Sequence, residues 1–209
     1  MLLLDLYAGV GGAAAGYHKA GFAIQGVDKY WQPNYPFPLK VCDALENLEA
    51  LVELFKPDVI HASPPCQSYS KVLMHMASPK SQHIEQLRIK LQETGLPYVI
   101  ENPPSWGVLH KPLVLCGTMF GLRVQRHREF ESNVPMQPPC PCNHVELAIN
   151  PYNREGRKRV YEEFGRLRSA ERVWGDLMGV PWATALEARQ CVPPAMTKYI
   201  GRQLTRCTC

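Results

Sequence analysis

The sequence lacks any apolar run that approaches the roughly 18–20 residues of a membrane-spanning helix. The leucines after Met1 stop at Asp5, too early for the apolar core of a signal peptide. No internal repeat or low-complexity tract is present. The 209 residues are 45% hydrophobic and 20% charged, which excludes disorder, collagen and a coiled coil as the main architecture. We therefore expect a soluble globular chain, one domain with an appendage.

The excess of positive charge is also small. A formal net charge of +4 is compatible with nucleic-acid binding but is far from a strongly basic footprint. The 19 prolines predict long irregular segments between regular elements. Because the eight cysteines are scattered in a chain without a secretory signal, they indicate free thiols, a metal site or a nucleophile, rather than a disulfide framework.

The first third alternates strand and helix signals, the pattern of a parallel sheet covered on both faces. The expected strands are Leu2–Tyr7, Phe22–Val27, Val59–Ala62 and Tyr98–Glu101, with weaker ones at Leu113–Cys116 and Arg128–Glu131. The expected helices are Ala13–Ala20, Leu45–Phe55, Gln82–Thr94, a basic helix within residues 154–172, and Pro193–Leu204. A polar loop, Ser63–Ser81, is expected after the third strand.

A glycine-rich turn, Asp5-Leu-Tyr-Ala-Gly9-Val-Gly11-Gly12, follows the first strand. Glycines there let the backbone approach a ligand, and the next helix offers free N–H groups. Asp28 ends the next strand, 19 residues after Gly9, where it can accept hydrogen bonds from a ribose. The layout fits a dinucleotide fingerprint and equally an S-adenosylmethionine pocket. The turn alone does not decide between a dinucleotide and S-adenosylmethionine, and it is also compatible with a tight turn that binds no ligand.

Two later strands end in reactive side chains. Ser63-Pro-Pro-Cys66-Gln places a thiol at the carboxyl edge of the sheet, because the prolines hold the turn extended. Glu101 follows Tyr98-Val-Ile, where the core gives way to a cleft, and such a carboxyl tends to have a raised pKa and can donate a proton. The alternatives are an inert buried thiol and a capping glutamate. Arg126 and Arg128 alternate along a strand, so both should lie on one face.

In this order and spacing, these motifs resemble the cytosine-C5 DNA methyltransferase family. The glycine turn, Pro-Pro-Cys-Gln, Glu-Asn-Pro and Arg-x-Arg cover residues 1–132, and the segment from Gln190 to Leu204 resembles the closing cofactor-pocket segment of small, phage-type members. The resemblance implies an α/β, Rossmann-like methyltransferase sheet with a small, reduced target-recognition lobe. It also implies S-adenosylmethionine as cofactor, duplex DNA with a flipped cytosine as substrate, and a cytoplasmic place in a bacterial or phage-infected cell.

The resemblance also assigns roles. The implied catalytic residues are Cys66, Glu101, Arg126 and Arg128. The thiolate would add to cytosine C6, the glutamate would hydrogen-bond N3 and supply a proton, and the arginines would position the base carbonyl or a phosphate. The implied cofactor-binding residues are Tyr7, Gly9, Gly11, Gly12, Asp28, Asp43 and Pro65, with Asp28 on the ribose and Asp43 on the adenine amino group.

The chain departs from the family in its recognition region. Only about sixty residues separate Arg128 from Gln190, where full-length members insert a separate domain. We predict a catalytic core at 1–132, a small lobe at 133–175 and a segment at 176–209 that returns to the core. Either the recognised DNA sequence is then short, or a partner protein supplies the specificity, or the lobe alone recognises the target. Two smaller departures are Pro103, where members usually have Val, and a missing or displaced Gln before the arginines.

The predicted lobe contains two further patterns. Cys140-Pro-Cys142-Asn-His144, with the final Cys207-Thr-Cys209, can hold zinc, but these spacings are less diagnostic than Cys-x-x-Cys. We therefore favour free thiols and keep structural zinc as the alternative. Residues 154–172 hold seven Lys or Arg against four Glu, which indicates either phosphate contacts or a solvated helix face.

Three rival functions remain at this point. An RNA (tRNA) cytosine-5 methyltransferase would use the same chemistry. An inactive DNA-binding or regulatory relative would not need the intact Cys66 and Glu101. A nicotinamide-dependent enzyme would use the glycine turn but would leave Pro-Pro-Cys-Gln unexplained.

Overall fold

The computed structural model describes residues 1–65, 81–104, 107–144 and 168–206, together with the single residues 149, 155, 158 and 162. The predicted nucleophile Cys66, most of the basic run, and the terminal Cys207 and Cys209 lie outside the described residues. No helix of the described part is long and apolar enough to cross a membrane.

The described residues form a seven-stranded sheet in the order β3-β2-β1-β4-β5-β7-β6. The strands are β1 (Leu2–Leu6), β2 (Ala23–Asp28), β3 (Leu39–Val41), β4 (Val59–Ala62), β5 (Tyr98–Asn102), β6 (Leu113–Cys116) and β7 (His127–Ser132). The five strands from β3 to β5 are parallel, β7 joins antiparallel to β5, and β6 joins antiparallel to β7. The α/β fold predicted from the alternating signals is confirmed.

Helices cover both faces of this sheet. They are α1 (Gly12–Lys19), α2 (Leu48–Phe55), α3 (Ser81–Glu93), α4 (Arg168–Met178), α5 (Ala185–Gln190) and α6 (Pro194–Arg206), and a 3-10 turn spans Gly117–Phe120. Successive β1 residues point to opposite faces, so Leu3 packs in the core beneath α1 and α6, while Leu4 packs beneath α2 and α3. This is why the apolar run of β1 is continuous rather than alternating.

The last helix returns to the first. The hydroxyl of Thr197 in α6 donates to the carbonyl oxygen of Ala13 in α1 at 2.9 Å. A Cβ at Gly16 would lie 1.9 Å from the Thr197 hydroxyl oxygen, so only glycine permits this spacing. Helix α6 is therefore part of the core, and the division into 1–132, 133–175 and 176–209 stays a prediction.

Several elements differ from the sequence prediction. Of the basic helix predicted within residues 154–172, α4 covers the part from Arg168 and continues to Met178, and most of the remainder lies outside the described residues. The short strand β3 and the helix α5 were not predicted at all. The first has exposed residues on both sides and therefore no periodic apolar signal. The second carried a readable signal, since Thr184 and Glu187 form a capping box at its start.

Candidate active site

A cavity of about 580 Å³ lies at the carboxyl ends of β1, β4 and β5. Open α/β sheets bind their ligands at this edge. The glycine-rich turn, the turn after β4, the end of β5 and the segment before α6 all contribute to its wall. The predicted site residues that line it are Tyr7, Gly9, Gly12, Pro65, Glu101, Arg126 and Arg128. One cavity thus brings the predicted cofactor turn and three of the four predicted catalytic residues together.

The glycine turn is shaped by its backbone and by what packs behind it. Gly9 and Gly11 have φ angles of 51° and 83°, in the left-handed region that favours glycine. A Cβ at Gly11 would come within 2.9 Å of both Pro36 and Tyr35. A Cβ at Gly12 would lie 2.3 Å from the carbonyl oxygen of Val192. Gly11 therefore supports the turn from behind, and its predicted cofactor contact stays a prediction.

The two predicted acids of the cofactor pocket bind backbone groups near the turn. Asp28 accepts hydrogen bonds from the N–H groups of Gly9, at 2.9 Å, and Tyr30. Asp43 accepts from the N–H groups at the start of the next turn and pairs with Lys29 at 3.2 Å. Neither carboxylate is among the residues that line the cavity. Their roles toward ribose and adenine stay predictions.

Asp5 is an acid that sequence reasoning did not place in the site. It is buried in the cavity wall, and the Tyr35 hydroxyl donates to its Oδ2 at 3.1 Å. Burial raises the pKa of Asp5 to about 8; the hydrogen bond from Tyr35 lowers the pKa and the nearby Asp28 raises it. This carboxyl therefore holds a proton at neutral pH.

Glu101 and Arg128 form a buried ion pair in the same cavity. The Arg128 Nε lies 2.6 Å from the Glu101 Oε1. Burial raises the pKa of Glu101 above its usual value, while Arg128, a hydrogen bond from Ser63 and the charge of Arg126 pull the pKa down. A carboxyl held between these opposing effects can take up and release a proton at the cavity wall.

Arg126 and Arg128 face one cleft, as the strand alternation predicts. The Arg126 Nη2 donates to the carbonyl oxygen of Cys191 at 2.9 Å, and the Arg128 Nη2 lies 3.5 Å from that of Gln190. Both arginines are therefore anchored to the segment that leads into α6. His127, between them, takes the opposite face of the sheet.

A buried chain of hydrogen bonds leads to Glu101 from beneath the sheet. The Tyr17 hydroxyl lies 3.1 Å from His61 Nδ1, and His61 Nε2 lies 3.0 Å from the Ser63 hydroxyl, which hydrogen-bonds Glu101. Burial lowers the pKa of His61 to about 3, so the ring is neutral and offers one donor and one acceptor. The only sequence signal for this chain was a histidine inside the apolar strand β4.

The turn after β4 is tied to the end of β5. The side-chain amide of Asn102 donates to the carbonyl oxygen of Pro64 at 3.2 Å. Pro65 lines the cavity, and Cys66, the next residue, lies outside the described residues. The segment before α6 supplies cavity residues to which no individual role was assigned, namely Glu187, Arg189, Gln190, Cys191 and Val192. The sequence assigned to the part from Gln190 onward only a resemblance to the last cofactor-pocket segment of the family.

The predicted lobe gives two outcomes. Cys142 and His144 do come together, but their partners are Cys116 and His127 of the sheet rather than Cys140, which approaches the carbonyl oxygen of Met119. Of the residues that the zinc alternative named, Cys140 therefore lies apart from this cluster, and Cys207 and Cys209 lie outside the described residues. In the basic run, exposed Lys158 pairs with Glu162 at 3.3 Å, as a solvated helix face would.

S-adenosylmethionine fits the residues present. The cavity volume lies within the roughly 300–1,000 Å³ of ligand sites. Among the described residues no side chain caps the start of α1, where Gly12 and Ala13 line the cavity, so a ligand carboxylate can take that place. Fold and cavity together define the class: a Rossmann-like α/β fold with a ligand cavity at the carboxyl edge of its sheet.

Comparisons with known proteins give matches in one family. Residues 1–83 match the family model of C-5 cytosine-specific DNA methylases. The type II methyltransferase M.HgiGI of Herpetosiphon aurantiacus is 28% identical over 118 residues, 52% of this chain and 88% of the relative. M.HgiDI of the same organism is 29% identical over 52% of this chain, but only 36% of that relative is matched. The predicted resemblance to the cytosine-C5 methyltransferase family is confirmed by these matches, the family model covering residues 1–83.

Solved structures extend the likeness in fold to the whole chain. A prophage-encoded Escherichia coli protein assigned as a DNA modification methyltransferase superposes with a TM-score of 0.68, at 15% identity, over 99% of both chains. The Entamoeba histolytica methyltransferase EhMeth gives 0.60 at 12% identity, over 100% of this chain and 99% of that one. At these identities the superpositions establish the shared fold.

Proposed function

We propose that this chain transfers a methyl group from S-adenosylmethionine to C5 of cytosine in DNA. The observation that carries the proposal is that one cavity of about 580 Å³ is lined by both the glycine turn and the Glu101–Arg128 pair. A methyl donor on the turn and a cytosine beside the carboxyl would then share one enclosed space. The names of the curated relatives, type II methyltransferases, favour DNA over RNA as the substrate.

The proposed reaction uses the chain's own residues in sequence. The Cys66 thiolate adds to C6 while Glu101 gives its proton to N3, which leaves C5 electron-rich. The bound cofactor supplies the methyl group that C5 takes. Water or a base then removes the C5 proton, the sulfur leaves C6, and N3 returns its proton to Glu101. Arg128 stabilises the carboxylate that Glu101 becomes, because its Nε lies 2.6 Å from Glu101 Oε1 before the proton is transferred.

The test traps the covalent step. The protein is incubated with S-adenosylmethionine and duplex DNA that contains 5-fluorocytosine, which blocks the final proton loss. We expect an adduct that survives denaturant, is lost in Cys66→Ala and is retained in Cys42→Ala, a matched half-buried cysteine outside the cavity. A parallel arm with 5-fluorocytosine in tRNA tests the RNA alternative. An adduct on tRNA alone would overturn the proposed substrate, and no adduct on either would overturn the mechanism.

Target recognition falls to a short stretch of chain in this proposal. Residues 133–175 would form the lobe that contacts DNA beside the flipped cytosine, as the sequence predicts. One measurement separates specificity supplied by a partner protein from specificity that resides in this chain. If the chain alone methylates one short sequence in a randomised duplex pool, no partner protein is needed.

A further inference from the structure

A cluster of two cysteines and two histidines lies on the sheet face opposite the cavity. Its members are Cys116, His127, Cys142 and His144, and their four ligand atoms all lie within 4.8 Å of one another. Two of them are fixed by the sheet, because Cys116 of β6 pairs directly with His127 of β7 across the antiparallel ladder. The other two come from the Pro-rich segment that follows β7.

The separations are those of ligands around one metal ion. The Sγ of Cys142 lies 3.5 Å from His144 Nε2 and 3.7 Å from His127 Nε2, and the Sγ of Cys116 lies 3.6 Å from His144 Nε2. With metal–sulfur bonds of about 2.3 Å and metal–nitrogen bonds of about 2.0 Å, tetrahedral geometry places neighbouring ligand atoms roughly 3.3–3.8 Å apart. All three measured distances fall in that range.

The surroundings also support ligation. Thr118 donates a hydrogen bond to the Cys116 Sγ at 3.2 Å, which orients that sulfur. Cys116 is buried, whereas Cys142 and His144 are exposed, so the site has one rigid inner wall and an open side for metal entry. Two thiolates and two neutral imidazoles suit zinc, and four protein ligands leave no open position for catalysis.

We propose that Cys116, His127, Cys142 and His144 bind one structural zinc ion that fastens the segment after β7 to the sheet edge. That segment, residues 133–144, contains no helix or strand and is mostly exposed at its end. It therefore buries little apolar surface of its own, and a metal would replace the missing core. The metal also fixes His127, the first residue of β7, whose neighbours in the chain are Arg126 and Arg128, so it stabilises the backbone between the two arginines.

The test is independent of methyl transfer. The chain is purified under reducing conditions, saturated with zinc, desalted and assayed for metal by mass spectrometry. We expect about one zinc per chain, lost in Cys142→Ser and in His144→Ala. Cys140→Ser is the matched control, an exposed thiol two residues away that should keep the metal. Retention in both ligand variants, or loss only in the control, would overturn the proposed ligand set.

A second measurement covers the case in which ligand variants fail to fold. The unmodified chain is stripped with a chelator and titrated with Co²⁺, whose absorption spectrum distinguishes a tetrahedral, thiolate-bound ion from an octahedral one. We expect the tetrahedral spectrum with sulfur-to-metal bands, saturating at one ion per chain, and a melting temperature restored by zinc. An octahedral spectrum, or no binding by reduced protein, would show a hydrogen-bonded cluster without metal and would overturn the proposal.

Discussion

At the scale of the residue, Glu101 sits where burial and charge oppose each other. Burial favours its protonated form, whereas Arg128, Ser63 and Arg126 favour the carboxylate. The sequence could indicate this conflict only in outline, since the apolar Tyr98-Val-Ile before Glu101 predicted burial. The ion pair itself depends on β7 running antiparallel beside β5, a pairing between residues far apart in the chain.

We expect Glu101→Gln to lower the rate of single-turnover methyl transfer by about 10²-fold or more, because general acid catalysis contributes on that scale. The raised pKa of Glu101 makes this loss depend on pH. The methyl-transfer rate of the unmodified chain is highest where Glu101 is protonated and declines as pH rises through the pKa of Glu101. The difference in rate between the two proteins therefore narrows at high pH. Ser63→Ala should move this decline to higher pH, because the Ser63 hydrogen bond lowers the pKa. A rate ratio that stays constant across pH would contradict the assigned role.

Asp5 should couple the stability of the fold to pH. Its pKa is about 8 in the folded chain against 3.8 ordinarily, so the folded state binds the extra proton between these values. The free energy of unfolding should therefore fall as pH rises from about 4 to about 8, by up to about 1.4 kcal/mol per pH unit. Urea titrations of Asp5→Asn should lack this decline, and those of exposed Asp176→Asn should keep it. Parallel curves for Asp5→Asn and the unmodified chain would be inconsistent with this coupling.

At the scale of the element, the contact between α1 and α6 determines which residue fits within α1, against the helix propensity of α1 alone. Gly16 lies in the middle of α1, where glycine is a poor helix former. It is required because a Cβ there would lie 1.9 Å from Thr197 Oγ1 and 2.2 Å from the carbonyl oxygen of Pro194. Helix propensity and packing therefore make opposite predictions for one substitution.

We expect Gly16→Ala to destabilise the chain by about 1–3 kcal/mol, the usual cost of overpacking. Propensity alone would stabilise it by up to about 1 kcal/mol. The sign of the change in the free energy of unfolding, measured by chemical unfolding, decides between the packing prediction and the propensity prediction. His18→Ala, a change at a partly exposed α1 position, serves as the control for general effects on the helix. If Gly16→Ala proved as stable as the parent, the two helices would not be packed as described.

At the scale of the whole molecule, the cavity joins parts of the chain that are almost two hundred residues apart. The indole N–H of Trp182 donates to the carbonyl oxygen of Val10 at 2.9 Å, which closes the carboxyl-terminal segment over the glycine turn. A ligand that fills the cavity should therefore stabilise the entire fold.

S-adenosylmethionine at about 100 times its dissociation constant should raise the free energy of unfolding by about 2.7 kcal/mol. NAD and NADP should have no such effect, because the proposed cofactor is a methyl donor. Differential scanning fluorimetry with each ligand measures the shift in melting temperature. S-adenosylhomocysteine, which S-adenosylmethionine becomes when it loses its methyl group, provides a positive control for binding in the cavity. Stabilisation by a nicotinamide cofactor alone would favour the rival oxidoreductase.

The sequence by itself determined the strand–helix alternation, the carboxyl-edge turns and the resemblance to a family, because each is written in contiguous residues. Apolar runs such as Val59–Ala62 and the glycines of the first turn carry their meaning locally. Only the tertiary structure decided that Glu101 pairs with Arg128, that Asp5 is buried, and that Cys142 meets Cys116 and His127 instead of Cys140. These contacts depend on which strands become neighbours in the sheet, and that choice is made by burial of the whole core rather than by spacing along the chain.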